Sequence, residues 1–212
     1  RFRNFCRDEG VISPEPDYCM MMLVDLEDPG LVVFPTHRLV YGVEGFDREK
    51  LLDFCRAHFR VEEKTGLDWI RPALDDAYKA GEKAFACYTG GDAWALLTLS
   101  DPHAMEAALP GKSRASQNLD VSVLHKLVLE PFFGIDPQNM AAQRNLRYTR
   151  DFDEALESVR GGECQCAFFV NPTRVEEIRD VAAAGEKMPQ KSTYFYPKLI
   201  TGLVMNQMVF SK

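Results

Sequence analysis

The sequence predicts a mixed α/β (α+β) fold in which helices flank a β-sheet. Apolar residues recur at helical spacing in several segments, short runs of β-forming residues alternate with them, and glycines and prolines separate the two kinds of segment. The pattern is most regular over residues 147–196, which read as a strand-helix-strand-helix-strand unit. Strands joined through helices are commonly parallel neighbours, so we expect parallel neighbours in this unit.

The first half of the chain opens with two predicted strands and continues with two predicted helices. Apolar runs over residues 18–25 and 31–41 indicate strands joined by a turn at residues 28–30. Helical spacing of apolar residues then predicts one helix over residues 47–59 and a second over 70–80, which a glycine ends.

A hairpin and an internal break complete this half. Strand-like runs at 85–88 and 93–99 flank a Thr-Gly-Gly-Asp turn, which is typical of a β-hairpin. Residues 101–116 contain a short helix followed by a loop rich in turn formers, and this is the best internal break. We therefore predict an N-terminal lobe of residues 1–110 and a C-terminal lobe of residues 111–212.

The two C-terminal helices carry clear start and stop signals. Asp151 with Glu154, and Thr173 with Glu176, have the spacing of a capping box, in which two residues satisfy each other's backbone amides. A glycine follows each helix. The apolar stripes of both helices predict that they pack on a sheet that contains residues 166–170.

The net charge and the distribution of apolar residues and cysteines argue against several kinds of binding partner. A net charge of −7 argues against a nucleic-acid partner, because phosphate backbones need clustered Lys and Arg. No apolar run approaches the roughly 20 residues of a membrane span, so we expect no membrane partner. The six cysteines are scattered, and only Cys164 and Cys166 are close, which favours reduced thiols over a metal site. We expect a soluble, cytoplasmic protein without a bound metal.

The first candidate site is the segment 188–198, which places lysines, hydroxyls and aromatics between two prolines. A lysine ammonium with two adjacent hydroxyls could hold a phosphate or a carboxylate, and a tyrosine could add a third hydroxyl. The alternative is a strand and a surface loop whose lysine pairs with a carboxylate. The candidate residues here are Lys191, Ser192, Thr193, Tyr194 and Lys198.

The second candidate is the pair His37 and Arg38, which follows a proline at the irregular end of a predicted strand. Arg38 suits bidentate contact with an anion, and His37 suits acid/base chemistry near neutral pH. We expect both to face one cleft with Lys191, with Ser192 or Thr193 at its edge. A half-buried histidine and a solvated arginine on a strand is the alternative. His125, on a predicted helix over 118–129, we interpret as a core or interface histidine rather than a ligand.

One family resemblance covers essentially the whole chain. Residues 185–199, GEKMPQKSTYFYPKL, resemble the C-terminal signature of the bacterial and archaeal family called domain of unknown function 1015. Further similarities lie at residues 35–38, at Leu124 and His125 with the Gly-Ile pair after them, and at Tyr148 with Asp151. The family's name states that its chemistry is not established.

The resemblance implies that this chain is the C-terminal half of a longer protein. In the family, an Asp-Gly-His-His-Arg motif directly precedes the point that matches Arg1, and that motif is similar to the phosphate-binding box of the ParB and sulfiredoxin-like fold. Some proteins of that fold are ATP-using kinases of small molecules. ATP and Mg²⁺ could therefore serve the longer protein, whereas we expect no cofactor and no activity in this chain alone.

Two functions remain open. The first is the C-terminal part of an enzyme that transfers or hydrolyses phosphate on a small anionic metabolite, with serine or phosphoserine as a guess. His37 and Lys191 would then be catalytic, and the partners would be the N-terminal half and the metabolite. The second is a non-catalytic module that binds an anion or another protein. The chain could also form a homo-oligomer.

Overall fold

The computed structural model describes residues 2–10, 21–198, 200 and 202–205. The chain forms two compact units, one of residues 1–32 with 196–212 and one of residues 33–195. Within the smaller unit, residues Phe2–Asp8 form helix α1. Part of the strand predicted over 18–25 lies outside the described residues, and over 21–25 the prediction is wrong. Residues 21–25 form no strand with any described part of the chain, and the Met21 and Leu23 side chains are exposed.

Eight strands are present in the part of the chain that the structure describes. They are β1 Val32–Phe34, β2 His37–Val40, β3 Phe59–Thr65, β4 Ala84–Tyr88, β5 Ala93–Leu99, β6 Leu146–Thr149, β7 Cys166–Val170 and β8 Tyr194–Tyr196. The remaining helices are α2 Arg48–Cys55, α3 Ile70–Ala80, α4 Ala104–Ala108, α5 Arg114–Gln117, α6 Asp120–Leu124, α7 Glu130–Phe133, α8 Pro137–Ala142, α9 Phe152–Arg160 and α10 Val175–Ala183. A π-helical turn, His125–Leu129, joins α6 to α7.

The central sheet has six strands in the order β3-β5-β4-β7-β2-β6, and all neighbouring strands are antiparallel. The predicted mixed fold with helices flanking a sheet is confirmed. The expected parallel neighbours are wrong, because β2 lies between β6 and β7 and runs antiparallel to both. The sheet takes strands from both predicted lobes, 1–110 and 111–212, and that division stays a prediction. β8 pairs with β1 in a separate two-stranded sheet.

The two faces of the sheet bury different cores. Side chains alternate along a strand, so β2 presents Val40 to one core and Leu39 to the other. The core with Val40 is covered by α2, α4 and the helical segment from α6 to α7. The core with Leu39 is covered by α3 and α9. This alternation decides which candidate residues can share a site.

Local signals placed several elements correctly. Asp47 caps α2 by accepting a hydrogen bond from the amide of Lys50, and α3 ends at Gly81, whose φ is +75°. The predicted hairpin of β4 and β5 is present. The helix predicted over 47–59 ends early, at Cys55, because Phe59 begins β3 and packs edge-on against Phe85 at 6.0 Å.

The two predicted capping boxes differ from the observed caps. Asp151 caps the first helix as predicted, but its amide donates to the Thr149 hydroxyl and not to Glu154, so the reciprocal half of that box is wrong. Asp151 accepts hydrogen bonds from the amides of Asp153 at 2.8 Å and Glu154 at 3.0 Å. The second helix starts one residue later than expected, since the amide of Arg174 donates to Glu177 at 2.9 Å. Thr173 does not cap the helix. It lies against the candidate segment described next.

Candidate functional site

A tight turn organises the segment that the sequence singled out. The Ser192 hydroxyl donates to the carbonyl oxygen of Pro189 at 2.8 Å, and the Ser192 carbonyl accepts from the Thr173 hydroxyl at 2.8 Å. Lys191 has a φ of +56°, a left-handed conformation that is uncommon for residues with a side chain. Ser192 is buried, and its polar groups serve the turn.

Arg38 holds this turn against the sheet. Its Nη2 donates to the Lys191 carbonyl at 3.1 Å, and its Nη1 donates to the Thr36 carbonyl. The guanidinium is fully buried and lies 5.7 Å from the centre of the Tyr148 ring. Burial lowers the pKa of Arg38 to about 10, although Tyr148 and Asp120 act in the opposite direction, so the group stays cationic at neutral pH.

Three buried polar atoms close to this arginine have no hydrogen-bond partner among the described residues: Arg38 Nε, the Tyr148 hydroxyl and His125 Nδ1. Arg38 also makes no ion pair within the described part of the chain. A buried polar group left unsatisfied typically costs about 1–3 kcal/mol. Such a group in a native structure calls for an explanation, for example a catalytic role or a bound ion.

His125 connects the buried arginine to a cavity of about 240 Å³. The cavity is lined by the segments around Leu109, α6 and the π-helical turn, the start of α8, and residues 187–190. Its apolar lining includes Val121 and Met140. Its polar lining includes Ser122, His125, Glu130, Gln190 and three lysines, Lys112, Lys126 and Lys187. We call it the lysine cavity.

The three lysines differ in how firmly they are paired. Lys126 forms an ion pair of 2.5 Å with Glu130, one helical turn away. Lys112 lies 3.8 Å from Glu186, whose carboxylate accepts hydrogen bonds from the serines of α5 and its cap. Lys187 has no ion pair among the residues that the structure describes. Cations therefore outnumber carboxylates at this cavity, in a chain with a net charge of −7.

His37 does not share this site, so the prediction that His37 and Arg38 face one cleft is wrong. Neighbouring strand residues point to opposite faces of a sheet. The His37 ring packs at 5.1 Å from Phe169 and 6.0 Å from Phe152, and its Nδ1 accepts from the Val170 amide at 3.3 Å. Burial, with a smaller contribution from Arg38, lowers the pKa of His37 to about 4.

The remaining predicted residues lie at different places. Lys191 contacts Arg38 through its carbonyl, and its side chain is exposed. Thr193 is half-buried. Tyr194 lies under the guanidinium of Arg150 at 3.9 Å, and Lys198 is exposed. The structure therefore brings Arg38, Lys191 and Ser192 together, and it turns the His37 side chain to the other face of the sheet.

Sequence reasoning did not single out the lysines of the cavity, and it interpreted His125, which lines the same cavity, as a core or interface histidine. Lys112, Lys126 and Lys187 come from separate segments, so no local pattern joins them. The usable signal was that His125 belongs to one of the stretches similar to the family.

Membrane spans, metal-binding groups and cysteines were also compared with the structure. In the part of the chain described, no helix is long and apolar enough to cross a membrane, and no group of three or more His, Cys, Asp or Glu is placed to hold a metal ion. Five free cysteines are buried, and Cys19 lies outside the described residues. Burial raises the pKa of Cys55 to about 12.

Comparison with solved structures gives distant similarities. A conserved hypothetical protein from Pyrococcus furiosus has 18% sequence identity and a TM-score of 0.45, over 82% of this chain and 60% of that one. A free serine kinase in complex with AMP has 18% identity and a TM-score of 0.44, over 82% and 57%. A mutant of the free serine kinase in complex with ADP has 15% identity and a TM-score of 0.46, over the same shares. The chain thus spans about 60% or less of the length of these proteins.

Comparison at the family level is more direct. No curated protein matches the chain. The family described as "Protein of unknown function (DUF1015)" matches residues 1–122, which is more than half of the sequence. The chain belongs to the DUF1015 family.

Proposed function

We propose that this chain is the ligand-binding part of an enzyme that acts on a small anionic metabolite, with the anionic group held in the lysine cavity. The observation that carries the proposal is the convergence of Lys112, Lys126 and Lys187 on one cavity of an acidic protein. Cations that served only solubility would be dispersed among carboxylates. Cations that converge where water is partly excluded favour an anion.

The size and lining of the cavity limit the kinds of ligand that it could bind. Pockets for drug-sized ligands typically occupy about 300–1,000 Å³, so a cavity of about 240 Å³ suits a smaller molecule. Val121 and Met140 provide an apolar wall, while Ser122 and Gln190 can donate or accept hydrogen bonds. A phosphate monoester or a carboxylate on a short carbon skeleton matches this lining.

Phosphoryl transfer or hydrolysis is the chemistry we propose for the longer protein. Cations fixed around a phosphate stabilise the charge that spreads over its oxygens in the transition state. ATP and Mg²⁺ would be bound by the N-terminal half, and serine or phosphoserine remains our guess for the substrate. The buried Arg38 would fix the turn at residues 189–192 and so position the cavity wall.

A non-catalytic anion-binding module is the second candidate. The position of His37 favours it, because the histidine that we expected to perform acid/base chemistry is buried on the other face of the sheet. Saturable binding of the metabolite, without turnover of ATP by the longer protein, would be the result expected of such a module.

Calorimetric titration with inorganic phosphate and with phosphoserine tests the proposal. Lys187→Gln should weaken binding about fivefold, since an exposed charge contact contributes up to about 1 kcal/mol. Lys50→Gln, which removes an exposed lysine from α2, is the matched control and should leave the affinity unchanged. Equal affinities for all three proteins, or no binding of either compound, would contradict an anion site in this cavity.

A further inference from the structure

We propose that the lysine cavity binds its anion together with a proton, which is taken up by the His125 imidazole. This inference rests on the proposed function and adds to it a pH-dependent regulation of the same site.

The position of His125 suits such a role. Its side chain lines the cavity, while its Nδ1 is buried and has no hydrogen-bond partner in the described part of the chain. The residue opens the π-helical turn 125–129, a local widening that often occurs at functional sites. A histidine that only filled the core would be expected to have this nitrogen satisfied.

The charges around the imidazole are mostly positive. Arg38 approaches from β2, Lys126 is the next residue on the same helix, and Lys112 and Lys187 lie on the cavity lining. The carboxylate on the lining, Glu130, is paired with Lys126. Glu186, which lies 3.8 Å from Lys112, accepts hydrogen bonds from the serines of α5 and its cap. Burial first, and then Arg38 and Lys126, lower the pKa of His125 to about 3.

An anion in the cavity reverses this balance. Its negative charge lies beside the imidazole ring that lines the cavity, and it therefore favours the protonated form of that ring. The proton comes from solvent and stays on the ring while the ligand is bound, so no other group changes its covalent state.

Coupling between proton uptake and anion binding predicts how the affinity for the anion changes with pH. Where the free protein holds His125 neutral and the complex holds it protonated, the affinity rises up to tenfold for each unit by which the pH falls. Sulfate is a suitable probe, because its charge is constant over this range, whereas phosphate titrates. From pH 7 to pH 5 we expect sulfate affinity to increase at least about tenfold.

Three variants separate the contribution of His125 from the contributions of other side chains. His125→Asn keeps a polar group of similar reach but stays neutral, and it should remove most of the pH dependence. Glu130→Gln removes the carboxylate of the lining and should keep the pH dependence of the wild-type protein, and loss of that dependence in this variant would count against His125. His103→Gln, an exposed histidine outside the cavity, should bind sulfate with the pH profile of the wild-type protein.

Proton uptake by the wild-type protein gives a second readout that needs no variant. Calorimetry at pH 5.5 in two buffers of different ionisation enthalpy should show uptake of up to one proton for each sulfate bound. Sulfate binding that is independent of pH and takes up no proton would overturn the inference while leaving the proposed anion site in place. Absence of sulfate binding at every pH would count against both.

Discussion

Mild acid should destabilise the fold through two histidines, the buried His37 and the half-buried His125. Burial is the main reason why their pKa values fall to about 4 and about 3 in the folded chain. Unfolding returns each imidazole to an ordinary pKa near 6.5. Below pH 6.5 the unfolded chain therefore binds protons that the folded chain does not, and the free energy of unfolding falls with pH.

The magnitude follows from the size of this difference. Each such group changes the free energy of unfolding by about 1.4 kcal/mol per pH unit. From pH 7 to pH 5 both histidines stay largely neutral in the folded state while the imidazoles of the unfolded chain become protonated, so each should cost about 2 kcal/mol and the pair about 4 kcal/mol. Domains are typically stable by about 5–15 kcal/mol, which makes the loss large.

Two carboxylates with shifted pKa values, Asp151 and Asp120, also contribute to the pH dependence of stability. The amides of Glu154 and Asp153 lower the pKa of Asp151, so its contribution to stability is lost only at lower pH. Burial raises the pKa of Asp120, despite the opposing effect of Lys83, and proton uptake there would act against the trend. Histidine variants are therefore needed to assign the effect.

Urea denaturation at intervals from pH 7 to pH 5 measures the prediction. His37→Gln and His125→Gln should each remove about half of the pH dependence, while His103→Gln, which alters an exposed side chain, should retain all of it. A wild-type free energy of unfolding that changes by less than about 1 kcal/mol over this range would refute the reasoning.

Three further predictions concern stability. Asp151→Ala should cost about 1 kcal/mol through loss of the α9 cap, and Asp151→Ser should recover most of it in thermal denaturation. Phe168→Ala, in the centre of the sheet, should cost about 3–5 kcal/mol by urea denaturation, and a loss below 1 kcal/mol would contradict its burial. Lys191→Gly should leave the free energy of unfolding unchanged or raise it by up to about 1 kcal/mol, because glycine accepts the positive φ at this position. Lys191→Val should lower it. The reverse order of stabilities would contradict the assigned turn.

Elements specified by neighbouring residues were predictable from the sequence. The hairpin of β4 and β5 follows from a glycine turn between two β-prone runs, and Asp151 is close enough to its amide partners for the cap to be recognised. The antiparallel pairing of β2 with β6 and β7 was not predictable, because more than 100 residues separate β2 from its partners. Apolar periodicity gives the face of a strand but not its neighbour.

The candidate site shows the same limit. The sequence selected both the segment containing Ser192 and the strand residue Arg38 as candidates. In the structure Arg38 contacts the turn that Ser192 closes. His37 was misassigned because adjacency in sequence was taken as adjacency in space, although neighbouring strand residues point apart. The lysine cavity depends on lysines from separate segments, so only the tertiary structure brings Lys112 and Lys187 to His125.

Imidazole nitrogen shifts, followed by NMR as phosphate is added, test the central claim most directly. His125 and His37 lie on opposite faces of the same sheet, and only His125 lines the lysine cavity. We predict that the ring signals of His125 shift and saturate with phosphate while those of His37 stay in place. Saturable shifts at His37 alone, or at neither ring, would contradict an anion site in the lysine cavity.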